Sequence, residues 1–361
     1  MQGNKKIIIT GGHATCALAV IDELQKNQHK CLIVFVGRRY VNADEHNDSF
    51  EYQEITARKI PFIHLETGRA MQFFKFISGL INSFSIVARH KPDTILSFGG
   101  YLALPIAIAG WILGVKIVTH EQTIEPGTAN RIIGVIATKV CISFPETKKF
   151  FAKEKVVLTG NPLRTSIFKR EEKFVLPKGR QSIYITGGSL GSHAINILIE
   201  EIIRDLLKKY TVVHQCGNID EFGDYERLNK IRNSLSLEDK KHYLLKKHLM
   251  DNEIGDVYAK TDLVIGRSGA NTFFELIALE KPAIFIPLPW SAKDEQKKHA
   301  MIFQNAGAGE VFFQEGSGRE LLLIIEKAIS SIDKYKANIS KLKHYYKPHA
   351  KDEIIKLLLE K

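Results

Sequence analysis

The sequence contains none of the cysteine patterns that mark zinc sites, redox pairs or disulfide scaffolds. Its four cysteines are scattered along the chain, and none belongs to a Cys-x-x-Cys pair. This spacing excludes a small disulfide-stapled module and fits a reducing compartment. The first residues also lack the apolar core and cleavage site of a signal peptide, so we expect a cytoplasmic protein.

No apolar run is long enough to cross a membrane, but one predicted helix has the character of a membrane-surface helix. The longest uncharged run, Leu102 to Val115, is too short for a bilayer and predicts a buried helix. The helix predicted from Ala70 to His90 has no acidic residue, and it carries more apolar side chains than one packed face requires. It either rests on an anionic membrane surface or is a core helix. Its expected core stripe consists of Phe73, Phe76, Ile77, Leu80, Phe84 and Val87, which Phe74 and Ile81 widen.

Acidic residues are outnumbered by basic ones, and the formal net charge is +11. This excess implies attraction to phosphorylated substrates, anionic lipid or nucleic acid. A nucleic-acid-binding module predicts clustered lysines with exposed aromatic side chains on a strand surface. The aromatic residues of this chain fall mostly on apolar helix faces instead, so we expect no nucleic-acid partner.

The chain has 361 residues, more than one hydrophobic core usually supports, which predicts two domains. Strands, glycine-containing turns and helices alternate from Lys6 onward, and the alternation restarts at Ser182 after the charged segment from Thr165 to Gln181. Such alternation predicts an α/β protein, with two Rossmann-like domains whose parallel sheets face each other across a cleft. Ligands of such sheets bind at the carboxyl ends of the strands.

The familiar phosphate-binding signatures are missing, although glycine turns are present. Gly11-Gly12 does not have the G-x-G-x-x-G spacing of a dinucleotide site, and no Gly-Lys-Ser/Thr follows the turn from Gly187 to Ser192. The second turn lies between a strand and the helix predicted from His193 to Tyr210. Its backbone N–H groups and the Ser189 hydroxyl can hold a phosphate, but the same turn also serves as a simple packing device.

The segment from Asp262 to Ala300 predicts a strand, a turn at Ser268-Gly269, and a helix from Asn271 to Leu279. A helix that starts at the end of a strand directs unpaired N–H groups and a positive dipole end at one point, which suits an anion. Glu275 lies one turn inside this helix, where its carboxylate can accept two hydrogen bonds from a ribose diol. The alternative is an ordinary helix start with an exposed glutamate.

Several residues that follow predicted strands have side chains suited to catalysis. His13 and the pair His120-Glu121 follow strands of the first half, where a general base belongs, although a histidine in such a place is often structural. Arg164 follows the last strand of that half and can clamp a phosphate. No Asp-x-Asp pair follows a strand, so we expect neither a metal nor another cofactor.

A series of motifs resembles the MurG family of peptidoglycan N-acetylglucosaminyltransferases from about residue 5 to residue 310. The motifs are Thr10-Gly11-Gly12-His13, Phe98-Gly99-Gly100-Tyr101, His120-Glu121-Gln122, Ala129-Asn130-Arg131, Ser143-Phe144-Pro145-Glu146, Thr159 to Arg164, Gly187-Gly188-Ser189, Arg267-Ser268-Gly269-Ala270, Glu275 and Asp294-x-Gln296. The resemblance implies a GT-B fold with an acceptor and membrane-facing domain over residues 1–164 and a UDP-sugar donor domain over 165–335. Helices over 336–361 are expected to pack back toward the first domain.

The resemblance also implies the reaction and its site. N-acetylglucosamine would pass with inversion from UDP-N-acetylglucosamine to the 4-hydroxyl of undecaprenyl-pyrophosphoryl-N-acetylmuramyl-pentapeptide, on an anionic inner membrane surface at the cytoplasmic face. His13 or Glu121 would be the base. The implied donor contacts are Arg164, Gly188, Ser189, Ser268, Gly269, Ala270, Asn271, Thr272, Glu275, Gln296 and Lys297. The implied acceptor contacts are Thr10, Gly11, Gly12, Tyr101, His120, Thr123 and Asn130.

Three departures from the family pattern concern the acceptor and the donor sugar. The first glycine turn is short and lacks the usual proline near Cys16, Thr123 replaces an asparagine, and Lys297 replaces a glutamine or threonine. The alternatives that remain are a GT-B transferase with a different lipid acceptor, a UDP-sugar epimerase, and a UDP-sugar-binding homologue without catalysis.

Overall fold

Strands and helices alternate along the chain as the sequence predicts. The computed structural model describes residues 4–12, 14–26, 31–40, 48–68, 72–188, 190–218 and 220–360. The chain forms two units, one made of Met1–Arg164 with Lys347–Lys361 and the other of Thr165–Tyr346. The first break thus falls in the charged stretch after Arg164, where no strand or long helix connects the two.

The first unit is built on a seven-stranded parallel sheet with the strand order β3-β2-β1-β4-β5-β6-β7. Its strands are β1 (Lys5–Thr10), β2 (Cys31–Gly37), β3 (Phe62–His64), β4 (Thr94–Ser97), β5 (Lys116–Glu121), β6 (Lys139–Ile142) and β7 (Val156–Leu158). Its first helices are α1 (Ala14–Lys26), α2 (Phe50–Ala57), α3 (Phe73–His90), α4 (Ala103–Ile112) and α5 (Thr128–Ile136). The strand β1 is continuously apolar at Ile7, Ile8 and Ile9 because both faces of the sheet are covered.

The helix α3 differs from its predicted packing. The helix begins at Phe73, and residues 69–71 lie outside the described ranges. The expected core positions Phe73 and Ile77 are exposed, and so are Phe74 and Ile81, with 87% of Phe74 accessible to solvent. Of the other expected positions, Val87 is buried and Phe76 and Phe84 pack against the core of the first unit, while Gly79 and Ser83 are buried as well. An apolar surface therefore remains on its outer side.

The second unit has a six-stranded parallel sheet with the strand order β10-β9-β8-β11-β12-β13. Its strands are β8 (Gln181–Thr186), β9 (Tyr210–Gln215), β10 (Tyr243–Lys246), β11 (Leu263–Gly266), β12 (Ala283–Phe285) and β13 (Gly309–Val311). Its helices are α6 (His193–Leu207), α7 (Asp224–Asn233), α8 (Leu237–His242), α9 (Asp251–Lys260), α10 (Ala270–Ala278), α11 (Glu295–Ala306), α12 (Gly318–Ser330) and α13 (Ile332–Ile339). Short 3-10 turns lie at Pro145–Phe150, Thr165–Phe168, Asp220–Phe222, Ala292–Asp294 and Ser340–Tyr345.

The helix α6 is shorter than predicted. It ends at Leu207, and the predicted last residue, Tyr210, begins β9. Tyr210 pairs with Gln181 of β8, and its side chain is buried in the core of the second unit. The apolar pattern continues through the helix and the strand alike, so sequence periodicity did not show where one ends.

The last helix, α14 (Ala350–Leu359), belongs to the first unit and packs against α1. The segment that joins this unit starts at Lys347, later than residue 336, because α13 packs against α11 and α12 in the second unit. Lys5 donates hydrogen bonds to the carbonyl groups of Leu359 and Glu360. A lysine at the end of a helix satisfies carbonyl groups that have no partner within the helix.

Candidate functional site

In the first unit, the turns that follow β1 and β4 pack against each other at the carboxyl edge of the sheet. The Gly12 amide donates to the Gly99 carbonyl over 3.2 Å, and the Phe98 amide donates to the Thr10 carbonyl over 2.8 Å. Gly11 has a φ of 136°, and a Cβ atom there would lie 2.8 Å from the backbone of Phe98. The Thr10 hydroxyl is buried and has no hydrogen-bond partner among the described residues. The close approach to Phe98 and the positive φ therefore require glycine at position 11.

A buried hydrogen-bond network centred on Glu121 lies at the end of β5. One carboxylate oxygen accepts hydrogen bonds from the Thr123 amide at 2.9 Å and the Thr123 hydroxyl at 2.7 Å. The other accepts a hydrogen bond from the Asn130 amide group at 2.8 Å. The Nε2 atom of His120 lies 3.1 Å from the Gly160 carbonyl oxygen. All four side chains are buried, so they hold the chain after β5 in place.

Three candidates of the first unit remain, namely Tyr101, His13 and Arg164. Tyr101 is partly exposed after the β4 turn. His13 lies outside the described residues. Arg164 is the last residue before the first break, and it therefore belongs to the first unit, although the resemblance makes it a donor contact.

In the second unit, two turns meet at the carboxyl edge because β8 and β11 are neighbouring strands. Thr186 pairs with Gly266, so the glycine turn before α6 lies beside the turn before α10. The Arg267 guanidinium joins them by donating to the Ser192 hydroxyl at 2.8 Å and to the Ile286 carbonyl at 2.9 Å. The starts of two helices and a guanidinium are thus gathered at one edge.

Arg267 was not among the candidate site residues. Its other acceptors are the Pro287 carbonyl and the Gln314 side-chain oxygen, both uncharged. Burial lowers the pKa of Arg267 to about 10, so the group is still cationic at neutral pH. Arg267 is partly buried, and the charge of Glu315 raises its pKa against the effect of burial. A cation whose direct acceptors are all neutral is further stabilised when an anion approaches it. One sequence feature could have indicated Arg267: it directly follows a buried strand and precedes Ser-Gly.

Glu275 is buried in α10, with only 3% of the residue exposed. Its Oε2 atom accepts a hydrogen bond from the Tyr258 hydroxyl at 2.9 Å. Ser268 is also buried and donates to the Gln296 carbonyl at 2.7 Å. The Gln296 side chain accepts a hydrogen bond from the Leu288 amide at 3.1 Å. The expected sugar contacts Ser268 and Gln296 are therefore bonded to each other, and the expected ribose contact Glu275 is held separately by Tyr258.

The other predicted donor contacts lie around this edge. Gly269 caps α10, and Ala270, Asn271 and Thr272 form its first turn, where backbone N–H groups have no partner within the helix. The Gly188 carbonyl accepts a hydrogen bond from the Gln215 side chain at 2.9 Å. The exposed Lys297 ammonium lies 5.8 Å from the ring centre of Phe313. Ser189 lies outside the described residues.

Two parallel-sheet units whose first six strands follow the same order, each with glycine turns at its carboxyl edge, have the architecture of the GT-B fold. Comparison with known families agrees with this class. The N-terminal domain of glycosyltransferase family 28 matches residues 8–142, and the C-terminal domain of that family matches residues 182–357.

Individual relatives narrow the family further. A UDP-N-acetylglucosamine--N-acetylmuramyl-(pentapeptide) pyrophosphoryl-undecaprenol N-acetylglucosamine transferase from Clostridium perfringens is 33% identical over 91% of this chain and 90% of its own. The chain therefore belongs to the MurG family within glycosyltransferase family 28.

Solved structures show the same fold at lower sequence identity. The MurG crystal structure from Acinetobacter baumannii superposes with a TM-score of 0.73 at 23% identity, over 98% of this chain and 99% of that one. The UDP-GlcNAc 2-epimerase from Neisseria meningitidis, bound to UDP-GlcNAc, superposes with a TM-score of 0.68 at 16% identity, over 99% of this chain and 100% of that one. The fold alone therefore does not separate a transferase from an epimerase.

Proposed function

We propose that the protein transfers N-acetylglucosamine from UDP-N-acetylglucosamine to the 4-hydroxyl of undecaprenyl-pyrophosphoryl-N-acetylmuramyl-pentapeptide, with inversion, in peptidoglycan precursor synthesis. The observation that carries this proposal is the 33% identity to the Clostridium perfringens transferase along nearly the full length of both chains. The epimerase is related in fold only. The arrangement of polar groups at each carboxyl edge supports the same assignment.

The carboxyl edge of the second unit has the groups that a UDP-sugar donor requires. The first turns of α6 and α10 offer backbone N–H groups, and the Arg267 guanidinium between them adds a fixed positive charge. We expect these groups to hold the diphosphate and to stabilise UDP as it departs with a growing negative charge. Glu275 is proposed to accept hydrogen bonds from the ribose diol, with Tyr258 keeping its carboxylate in place.

The acceptor hydroxyl needs a group that takes its proton, and His13 and Glu121 were both candidates. The Glu121 carboxylate already accepts three hydrogen bonds inside the protein, which fixes its position and occupies both oxygens. We therefore propose His13 as the base and Glu121 as the residue that positions the loop after β5. Thr10, Gly11, Gly12 and Tyr101 are proposed to face the acceptor, and His120, Thr123 and Asn130 to support them from beneath.

Transfer of labelled N-acetylglucosamine from the UDP sugar to the muramyl lipid tests the proposal directly. We expect the wild-type protein to form the disaccharide lipid and to release UDP in equal amounts. Incubation of the donor alone serves as the control for an epimerase, which would convert UDP-N-acetylglucosamine without an acceptor. A protein that binds UDP but forms no disaccharide on the muramyl lipid would disprove the proposed acceptor and keep the fold.

We also propose that the first unit binds the anionic inner membrane surface at the cytoplasmic face. No helix in the described ranges is long and apolar enough to span a membrane. The outer side of α3 instead exposes Phe73, Phe74 and Ile81 next to Lys75, and α3 packs beside α4, whose Trp111 is also exposed. Apolar side chains that enter the interface, together with lysines that face anionic lipid, are what such binding requires.

Sedimentation with lipid vesicles tests this proposal. The wild-type protein should bind vesicles that contain phosphatidylglycerol, and a variant with Phe73→Ser and Phe74→Ser should lose most of that binding. Leu237→Ser is the matched control, because Leu237 is an exposed apolar residue of the second unit. Equal binding by the Phe73/Phe74 double variant and the wild type would rule out α3 as the contact.

A further inference from the structure

A histidine and an aspartate form a hydrogen-bonded pair next to the glycine turn of the second unit. His193 is the first residue of α6 and directly follows this turn. Its Nδ1 atom lies 2.7 Å from Asp224 Oδ1, and its ring stacks on Phe222 with the ring centres 4.3 Å apart. The two contacts fix both the rotation and the tilt of the imidazole. The side chain is nevertheless 38% accessible to solvent.

The aspartate is rigidly held. The Oδ2 atom of Asp224 accepts a hydrogen bond from the Asn196 side chain at 2.7 Å, and Oδ1 also accepts one from Arg227 at 2.6 Å. Burial alone would raise the pKa of the Asp224 carboxyl, but its hydrogen bonds hold the pKa below the usual range. Asp224 is thus an ionised carboxylate at neutral pH. It can only accept hydrogen bonds, so the Nδ1 atom of His193 carries a proton.

Further charged groups lie next to this pair. Arg227 also donates to Glu200, so the cluster holds two carboxylates and one guanidinium. An imidazolium at His193 would bring its total charge to zero. In that state Nε2 is a donor, and it is the one ring nitrogen that Asp224 does not occupy.

The glycine turn and the loop that carries Phe222 are in close contact. A Cβ atom on Gly191 would lie 2.2 Å from the Cys216 carbonyl oxygen, and one on Gly217 would lie 2.2 Å from the Leu190 carbonyl oxygen. The loop after β9 therefore packs closely against the turn before α6. His193 is the first residue of α6, so it lies next to the backbone N–H groups that begin this helix.

We infer that His193 donates a hydrogen bond from Nε2 to the diphosphate of the nucleotide donor, with Asp224 as the residue that positions it. This inference rests on the proposed function, because it assumes that a UDP sugar occupies the carboxyl edge of the second unit. None of the sequence motifs that indicated a donor contact included His193 or Asp224. The imidazolium would add one charge-assisted bond to the contacts made by backbone groups.

Two substitutions separate the two ring nitrogens. His193→Asn keeps an N–H group where Nδ1 meets Asp224 and removes the outer donor. His193→Gln keeps a donor near the position of Nε2. Calorimetric titration with UDP should give a dissociation constant about tenfold higher for His193→Asn, the loss expected for one hydrogen bond to a charged group. His193→Gln should stay within about threefold of the wild type.

A histidine elsewhere in the chain provides the control. His349 caps α14 in the first unit and pairs with Asp352 at 3.3 Å, so it is also a histidine–aspartate pair at a helix start. His349→Asn should leave UDP affinity unchanged. Thermal unfolding of each variant separates a loss of UDP contact from a loss of stability. If His193→Asn is unstable, the comparison of His193→Gln with His193→Ala gives the same test.

The outcomes distinguish this inference from the proposed function. Unchanged UDP affinity and an unchanged donor KM in a folded His193→Asn variant would overturn the inference, whether or not the wild type forms the disaccharide lipid. A tenfold loss of UDP affinity in His193→Asn, with near wild-type affinity in His193→Gln, supports it. That result would stand even if the wild type used a different acceptor.

Discussion

The two units share a topology but differ in what they place at the carboxyl edge of the sheet. In both, the first strand of the unit lies in the middle, between the second and fourth strands. In the first unit, the residues after β5 turn inward, and Glu121, Thr123 and Asn130 satisfy one another. In the second unit, the corresponding edge gathers two helix starts and the Arg267 cation. The same fold therefore places two different sets of polar groups at its carboxyl edges.

This difference between the two carboxyl edges agrees with a general rule for such sheets: strand order fixes where a ligand binds, and the side chains there fix which ligand binds. An edge rich in backbone N–H groups and one cation suits a diphosphate. An edge that carries a buried carboxylate network and a short glycine turn suits neutral hydroxyl groups and a base. Substitutions in one unit should therefore affect one substrate at a time.

The largest effect is expected for the proposed base. His13→Ala should lower kcat by about a hundredfold to ten-thousandfold, the usual contribution of a general base, and leave UDP affinity unchanged. Steady-state transfer assays together with UDP titration measure both quantities. Glu121→Gln keeps the size of the side chain and should have a smaller effect on kcat. A larger loss of kcat in Glu121→Gln than in His13→Ala would reverse the two roles.

The glycine turns test whether the two edges are equally constrained by backbone geometry. Gly11→Ala and Gly191→Ala should each lower the free energy of unfolding by about 2 to 4 kcal/mol, because both positions have a φ that L-residues avoid and no room for a Cβ atom. Calorimetric unfolding measures the loss. Gly12→Ala is the control, because a Cβ there meets nothing within 4 Å. A similar loss in Gly12→Ala would show that the geometric argument fails.

Substitution of Glu275 tests the proposed ribose contact at the carboxyl edge of the second unit. Glu275→Ala should raise the donor KM and the UDP dissociation constant by about tenfold, because the ribose loses one acceptor of its hydroxyl groups. Tyr258→Phe removes the hydrogen bond to Glu275 but keeps the carboxylate, so a smaller change is expected. Donor titrations at a fixed acceptor concentration measure the KM. An unchanged donor KM in Glu275→Ala would contradict the ribose role.

The smallest effect concerns the pH dependence of stability in the second unit. Burial lowers the pKa of His299, whose Nδ1 lies 3.0 Å from the Ser268 carbonyl oxygen, from 6.5 to about 4. Below pH 6.5 the unfolded chain binds a proton that the folded chain does not, so stability falls as pH drops toward 4. At pH 5.5 the loss should be roughly 1 kcal/mol.

Urea unfolding at pH 7.5 and pH 5.5 measures this loss. His299→Gln should reduce the pH dependence by the same amount, because glutamine does not titrate. His214 is also buried, and its pKa is lowered to about 3. Because His214 is present in both proteins, its contribution to the pH dependence is the same in each. Equal pH dependence in the wild type and His299→Gln would contradict the assignment.

Much of this organisation could be predicted from the sequence. The alternation of apolar strands with glycine turns predicted two parallel sheets. Ser268 and Gly269 fell directly before the start of α10, and Glu275 fell inside that helix, as we expected. The predicted packing of α3 was confirmed at Val87, Phe76 and Phe84 but was wrong at Phe73 and Ile77, because periodicity identifies an apolar face but not whether a neighbour covers it. The predicted end of α6 was wrong for a related reason, because Tyr210 fits an apolar helix face as well as a buried strand.

The sequence alone determined the fold class and the position of the turns, because these follow from local patterns of apolar residues and glycines. The family was indicated by the resemblance of its motifs. Only the tertiary structure decided which side chains meet. It brought Arg267 to Ser192 and His193 to Asp224 across separate segments, and it buried Glu121 among its partners. These contacts join residues far apart in the chain, and their geometry depends on how neighbouring strands and loops pack.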